Sequence, residues 1–87
     1  MTFSEALERI KNGQRLARSN WNAKGQFVFL VPGSTFEVNR PPLSYIYEEG
    51  TVINYHPHID MRNAQGMIVP WQPTQGDVLS DDWEVVG

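Results

Sequence analysis

Gln26-Phe-Val-Phe-Leu-Val31 is the stretch on which the fold turns. Aromatic and β-branched side chains suit a pleated, half-buried surface, and this run lies between two turn signals, Lys24-Gly25 and Pro32-Gly-Ser34. It reads as a strand. Upstream, Gln14 to Arg18 alternates loosely about Leu16 and reads as a first strand. The two form a hairpin through Asn20-Trp21-Asn22. Further upstream, Thr2 and Glu5 have the capping-box spacing, and Phe3, Ala6, Leu7 and Ile10 fall at i, i+3, i+4 and i+7. These features predict a short amphipathic helix, stopped at Asn12-Gly13, with Lys11 placed where a cation complements the helix dipole.

Downstream of the central strand, Thr35 to Val38 predicts a short extended piece. Asn39-Arg40-Pro41-Pro42 cannot join a central ladder, because its prolines lack N–H donors and restrict the residue before them. Leu43 to Tyr47 and Thr51 to Tyr55, on either side of Glu48-Glu49-Gly50, read as irregular chain around a bend. From His56 to Arg62, apolar Ile59 and Met61 alternate with His58, Asp60 and Arg62, the pattern of a half-buried strand. Asn63 to Gly66 then turns the chain into Met67-Ile-Val69, and Pro70 closes that strand. Thr74 to Asp77 resembles the entry to a helical turn, and Trp83 to Val86 reads as a terminal strand. The fold class expected is α+β, with a short N-terminal helix packed on a mostly antiparallel β-sheet in a single small domain over residues 1–87.

An 87-residue chain buries a limited fraction of its surface, so subunit contacts are expected to complete its core. Cysteine is absent, which excludes disulfides, thiolate metal sites and thiol nucleophiles. A net charge of -3 argues against duplex nucleic acid as partner, since that binding needs many phosphates neutralised by Lys and Arg. One or two arginines still suffice for a small anion. The opening Met1-Thr-Phe-Ser-Glu-Ala-Leu-Glu8 has neither the basic nor the apolar region of a signal peptide, and no apolar run reaches bilayer length. The expectation is a soluble protein of the cytoplasm with no membrane partner.

The chain lacks the nucleophile-elbow, zinc-protease and P-loop motifs. His56, His58 and Asp60 make a sparse ligand set, and hydrogen-bonded histidines in a sheet explain them better than a metal does. No catalytic residue, metal or cofactor is therefore expected. Three tryptophans carry more chemical information. Indole faces are stacking platforms for nucleobases. Trp21 sits between asparagines, and Trp71 lies at a strand end between prolines, whereas Trp83 enters a strand and reads as core. For Trp21 and Trp71, site and core are evenly balanced from composition alone. The polar segment Thr74-Gln75-Gly76-Asp77 offers hydroxyl, amide and carboxylate groups, although taken by itself it is better explained as a helix N-cap at Thr74 or Asp77.

Phe3-Ser-Glu-Ala-Leu7, Ala17-Arg18, Trp21-Asn22-x-Lys24-Gly25, Val31-Pro-Gly-Ser-Thr-Phe36, Val38-Asn-Arg-Pro-Pro42, Pro57-His-Ile-Asp-Met61, Val69-Pro-Trp71 and Gln75-x-Asp77-x-Leu79-x-x-Asp82-Trp83 occur in this order. From end to end the chain resembles the second Thoeris anti-defence family. The resemblance implies a sponge that sequesters, without cleaving it, the glycocyclic ADP-ribose signal made by a Thoeris TIR enzyme. It further implies a homo-oligomer, typically a tetramer, with pockets between subunits, and in some members a separate site for cyclic dinucleotides. On this basis Trp21 and Trp71 are expected to enclose adenine. Asn22, Thr74, Gln75 and Asp77 are expected around ribose and pyrophosphate, with Arg18 the cation nearest phosphate. Asn39 and Arg40 are expected at a second nucleotide site or a subunit contact. Gly76 departs from the Ser-Gln-Thr-Asp-like segment expected there, removing a side chain and loosening the loop.

Two other readings differ in class. One is a protein-interaction module that uses exposed tryptophans against a host protein. The other is a hydrolase of the same nucleotide, acting through Asp77 or His58.

Overall fold

The computed structural model describes residues 1–22 and 24–87; Ala23, within the Ser19 to Gly25 stretch, lies outside the described residues. Helix α1 spans Phe3–Lys11. The Thr2 hydroxyl accepts from the Glu5 N–H, and the Glu5 carboxylate accepts from the Thr2 N–H, closing the predicted capping box. Gly13 follows the helix at φ +89°, a left-handed conformation that a Cβ would penalise. Ala6 and Ile10 bring the apolar stripe of α1 into the core.

Strands β1 (Arg15–Arg18), β2 (Phe27–Val31), β5 (His58–Arg62), β6 (Ile68–Pro70) and β7 (Trp83–Val86) form one sheet in the order β6-β5-β2-β1-β7. Every pairing in it is antiparallel. Strand β2 lies at its centre. Leu16 faces Val28 across the hairpin, and both are fully buried. With Ala6, Ile10 and Trp83 they form the core, onto which Phe3, Trp21, Leu30, Ile59, Met61 and Trp71 pack from the margins. Helix α2 (Gln75–Leu79) lies between β6 and β7 in the chain and also contacts α1. The fold class is α+β, with a short N-terminal helix on an antiparallel sheet.

Beyond this body, β3 (Ser34–Glu37) and β4 (Val52–Tyr55) form a separate two-stranded ribbon, joined by a 3₁₀ turn at Leu43–Tyr45. The irregular segment expected over Thr51 to Tyr55 is thus a strand, held in register by pairs from Ser34 with Tyr55 to Glu37 with Val52. Its apolar residues were not a reliable guide because the ribbon has almost no buried face. All four residues of β3 are exposed, and only Ile53 of β4 is partly covered. Among the described residues, no helix is long and apolar enough to cross a membrane.

Candidate functional sites

Trp83 is the centre of the first site. Its strand neighbours include Arg18, its side chain is 2% exposed, and its indole N–H donates to the Asp77 carbonyl at 2.8 Å. A buried indole with its polar atom satisfied is the core tryptophan that the sequence predicts. Phe3 packs on it at 5.5 Å between ring centroids. Trp21 and Trp71 meet it nearly edge-on, at 5.4 Å and 78° and at 6.0 Å and 82° respectively. Both are half-buried. Each packs on the core while remaining partly exposed. Asn22 is exposed next to Trp21.

The polar segments on either side of these rings are tied together by Arg18. All three of its guanidinium nitrogens donate: Nε to Asp82 at 2.9 Å, Nη1 to Asp77 at 2.8 Å and Nη2 to the Ser80 hydroxyl at 2.7 Å. Asp82 uses its second oxygen to accept from the Asn20 N–H, and Asp77 uses its own to accept from the Thr74 N–H. Thr74 in turn accepts from the Asp77 N–H, so the N-cap explanation of this segment holds. The hydrogen bonds from Arg18 hold the Asp82 carboxyl below its ordinary range. For Asp77, burial acts upward most strongly, but the combined bonds from Thr74 and Arg18 prevail and its carboxyl is also lowered. The two carboxylates raise the Arg18 guanidinium in return.

The Arg18 cation is matched by two carboxylates, Asp77 and Asp82. Each oxygen of the buried Asp77 carboxylate accepts one internal hydrogen bond, from Arg18 and from the Thr74 N–H. Thr74 and Gln75, by contrast, are exposed and line a groove of about 300 Å³ with Pro73, Val78 and Leu79. The tryptophans do not line that groove. Nor does Gly76 loosen the segment, because it lies within α2 with an ordinary backbone conformation.

A second site lies at the ribbon. Asn39 and Arg40 line a cleft of about 1050 Å³, together with Phe36, Pro42, Leu43 and Tyr55 among others. Phe36 and Tyr55 pack at 5.4 Å between centroids. Sequence reasoning singled out Asn39 and Arg40 but missed the aromatic pair that lines the same cleft. The two rings sit diagonally across the ribbon, Phe36 opposite Ile53 and Tyr55 opposite Ser34, a relation visible only once the two extended segments are paired. His58 lies 3.6 Å from Asp60, and its other ring nitrogen faces the His56 carbonyl at 3.2 Å. Among the described residues, no cluster of three or more histidine, cysteine or acidic side chains has metal-site geometry.

Fold and sites together define a small α+β domain with aromatic surfaces set beside polar loops. The chain belongs to the Thoeris anti-defense 2-like domain family, which matches residues 1–86. It is 35% identical over 89 residues to Thoeris anti-defense 2 of Bacillus phage SP01, an alignment covering 99% of this chain and 94% of that protein. The family is one of Thoeris anti-defence proteins, and membership supports the role of an inhibitor of Thoeris defence for this chain.

Proposed function

We propose that the protein acts as a sponge, binding the glycocyclic ADP-ribose signal of Thoeris without cleaving it. The observation that carries this reading is the pair of half-buried indoles, Trp21 and Trp71, held edge-on against the rigid Trp83. Rings fixed in this way offer stacking surface with little ordering cost. Asn22, Thr74 and Gln75 supply polar groups around the sugar and pyrophosphate. Arg18 and Asp77 contribute by holding the segments that bear these groups. The second cleft, with Asn39, Arg40, Phe36 and Tyr55, suits a cyclic dinucleotide through one cation and two aromatic faces.

Sequestering a scarce signal calls for nanomolar affinity, about -12 kcal/mol. Stacking at about 1–3 kcal/mol per base and charge-assisted hydrogen bonds at about 1.5–3 kcal/mol each reach that value in a closed, dry pocket. The concavities of one subunit are open, so a homo-oligomer, a tetramer in this reading, completes the enclosure. Exposed Tyr45, Ile46, Tyr47 and Val52 on and beside the ribbon supply apolar surface for that assembly. The same residues favour the second reading, a module that captures a host protein, over any use of the less exposed tryptophans for that purpose.

Calorimetric titration with glycocyclic ADP-ribose isomers, followed by heat release and chromatography of the ligand, tests the proposal. Tight binding with intact ligand recovered is the expected result. Recovery of a cleaved product identifies a hydrolase, and capture of a host protein without nucleotide binding identifies the interaction module.

A further inference from the structure

Building on the ligand reading above, we infer that Arg18 is a positioning residue: it sets the spacing between the Trp21 segment and the Trp71–Thr74 segment, without touching ligand. Its place in β1 fixes one end of the linkage, where its carbonyl accepts the Trp21 N–H at 3.1 Å. From there the guanidinium fork reaches two segments that follow much later in the chain. Through Asp82 it acts on the turn before Trp21, because Asp82 accepts the Asn20 N–H on its carboxylate and the Ser19 N–H on its carbonyl. Through Asp77 it acts on the segment after Trp71, because Asp77 closes the capping box with Thr74, the N-cap of α2. The Trp83 indole, against which both outer tryptophans pack, bonds to the Asp77 carbonyl. One side chain thus joins both walls to their common backing.

The chemistry of the fork explains why arginine is required. Asp77 and Asp82 are two like charges, and only a cation bonded to both keeps them close. Arginine places several donors in one rigid plane, so it bridges two carboxylates and a hydroxyl in a single geometry. A lysine ammonium supplies the charge but not the span. Without the fork the carboxylates repel, and the Asn20–Trp21 and Thr74–Asp77 segments lose their common anchor. A phosphate-binding arginine makes a different demand, since lysine also serves there as a point charge.

The test uses the full chain with Arg18→Lys, Arg18→Gln and Ser80→Ala, the last removing only one of the three bonds. Two readouts are needed: the indole N–H resonances of Trp21, Trp71 and Trp83, and titration with a glycocyclic ADP-ribose isomer across a salt series. Both Arg18 variants should shift the Trp21 and Trp71 resonances together and weaken binding about tenfold or more, lysine no less than glutamine. The salt dependence should stay that of the unmodified protein, because no phosphate contact has been removed. Full retention of affinity by Arg18→Lys, with loss and a shallower salt dependence in Arg18→Gln, would assign a direct phosphate contact and overturn the inference. Unmoved Trp21 and Trp71 resonances in folded Arg18 variants overturn it too. Should those variants fail to fold, Ser80→Ala decides: coupled shifts at both indoles support the linkage, and a change at neither contradicts it. If the unmodified protein binds no isomer, the ligand reading fails by itself, and the indole resonances still decide whether Arg18 couples the two segments.

Discussion

At the scale of single residues, the acids around Arg18 tie stability to pH. Asp77 and Asp82 both titrate below their ordinary value of 3.8 in the folded protein. The unfolded chain therefore takes up protons first as pH falls. The stability they contribute is fully present above that value and is lost as pH drops through the lower folded values. Denaturant midpoints measured from about pH 7 to about pH 2.5 should fall on the acid side, and Asp82→Asn should flatten that fall. Gly76 gives a prediction of opposite sign. A Cβ there would meet only the Thr74 hydroxyl, at an ordinary 3.6 Å, within a helix that glycine disfavours. Gly76→Ala should stabilise the protein by about 0.4–1 kcal/mol in equilibrium unfolding. The make-up of the proposed site was only partly legible at this scale. Trp21, Trp71, Thr74 and Gln75 were identifiable by type, but the partners of Arg18 lie 59, 62 and 64 residues away in sequence, and no local pattern reports such a convergence.

At the scale of elements, local rules sufficed where an element has a buried face. Helix α1 declared itself by its cap and apolar stripe, and β5 by alternation, because each must hide one side from water. The β3–β4 ribbon hides neither side, so its pairing left little trace in hydrophobic periodicity, and β4 was read as irregular. Its attachment to the body depends on Gly33. A Cβ at that position would lie 2.5 Å from the Tyr55 carbonyl oxygen and 3.2 Å from Pro57. Gly33→Ala should cost about 1–3 kcal/mol and increase amide hydrogen exchange in the ribbon more than in the central sheet. An unchanged exchange pattern would contradict this account of the junction. For α2, Thr74→Ala removes the capping oxygen and should destabilise by about 1 kcal/mol.

At the scale of the whole molecule, the ribbon makes the subunit elongated, 47 × 26 × 25 Å with a radius of gyration of 16.1 Å. A compact chain of this length has a radius near 12 Å, roughly. Projecting ribbons of two strands are marginal when alone in water. The proposed homo-oligomer would cover Tyr45, Ile46 and Val52, which are exposed in the single subunit. Sedimentation should accordingly give a mass several times the 10.0 kDa of one chain, and Ile46→Asp with Val52→Asp should reduce it. The sponge proposal depends most directly on capture of intact signal. The decisive measurement is calorimetric titration with the glycocyclic ADP-ribose isomers, with the bound ligand released by heat and identified by chromatography. The account predicts tight binding of one isomer, recovered unaltered, and weakening by about 1–3 kcal/mol in Trp21→Ala or Trp71→Ala. Absence of binding to every isomer, or recovery of a cleaved product, would contradict it.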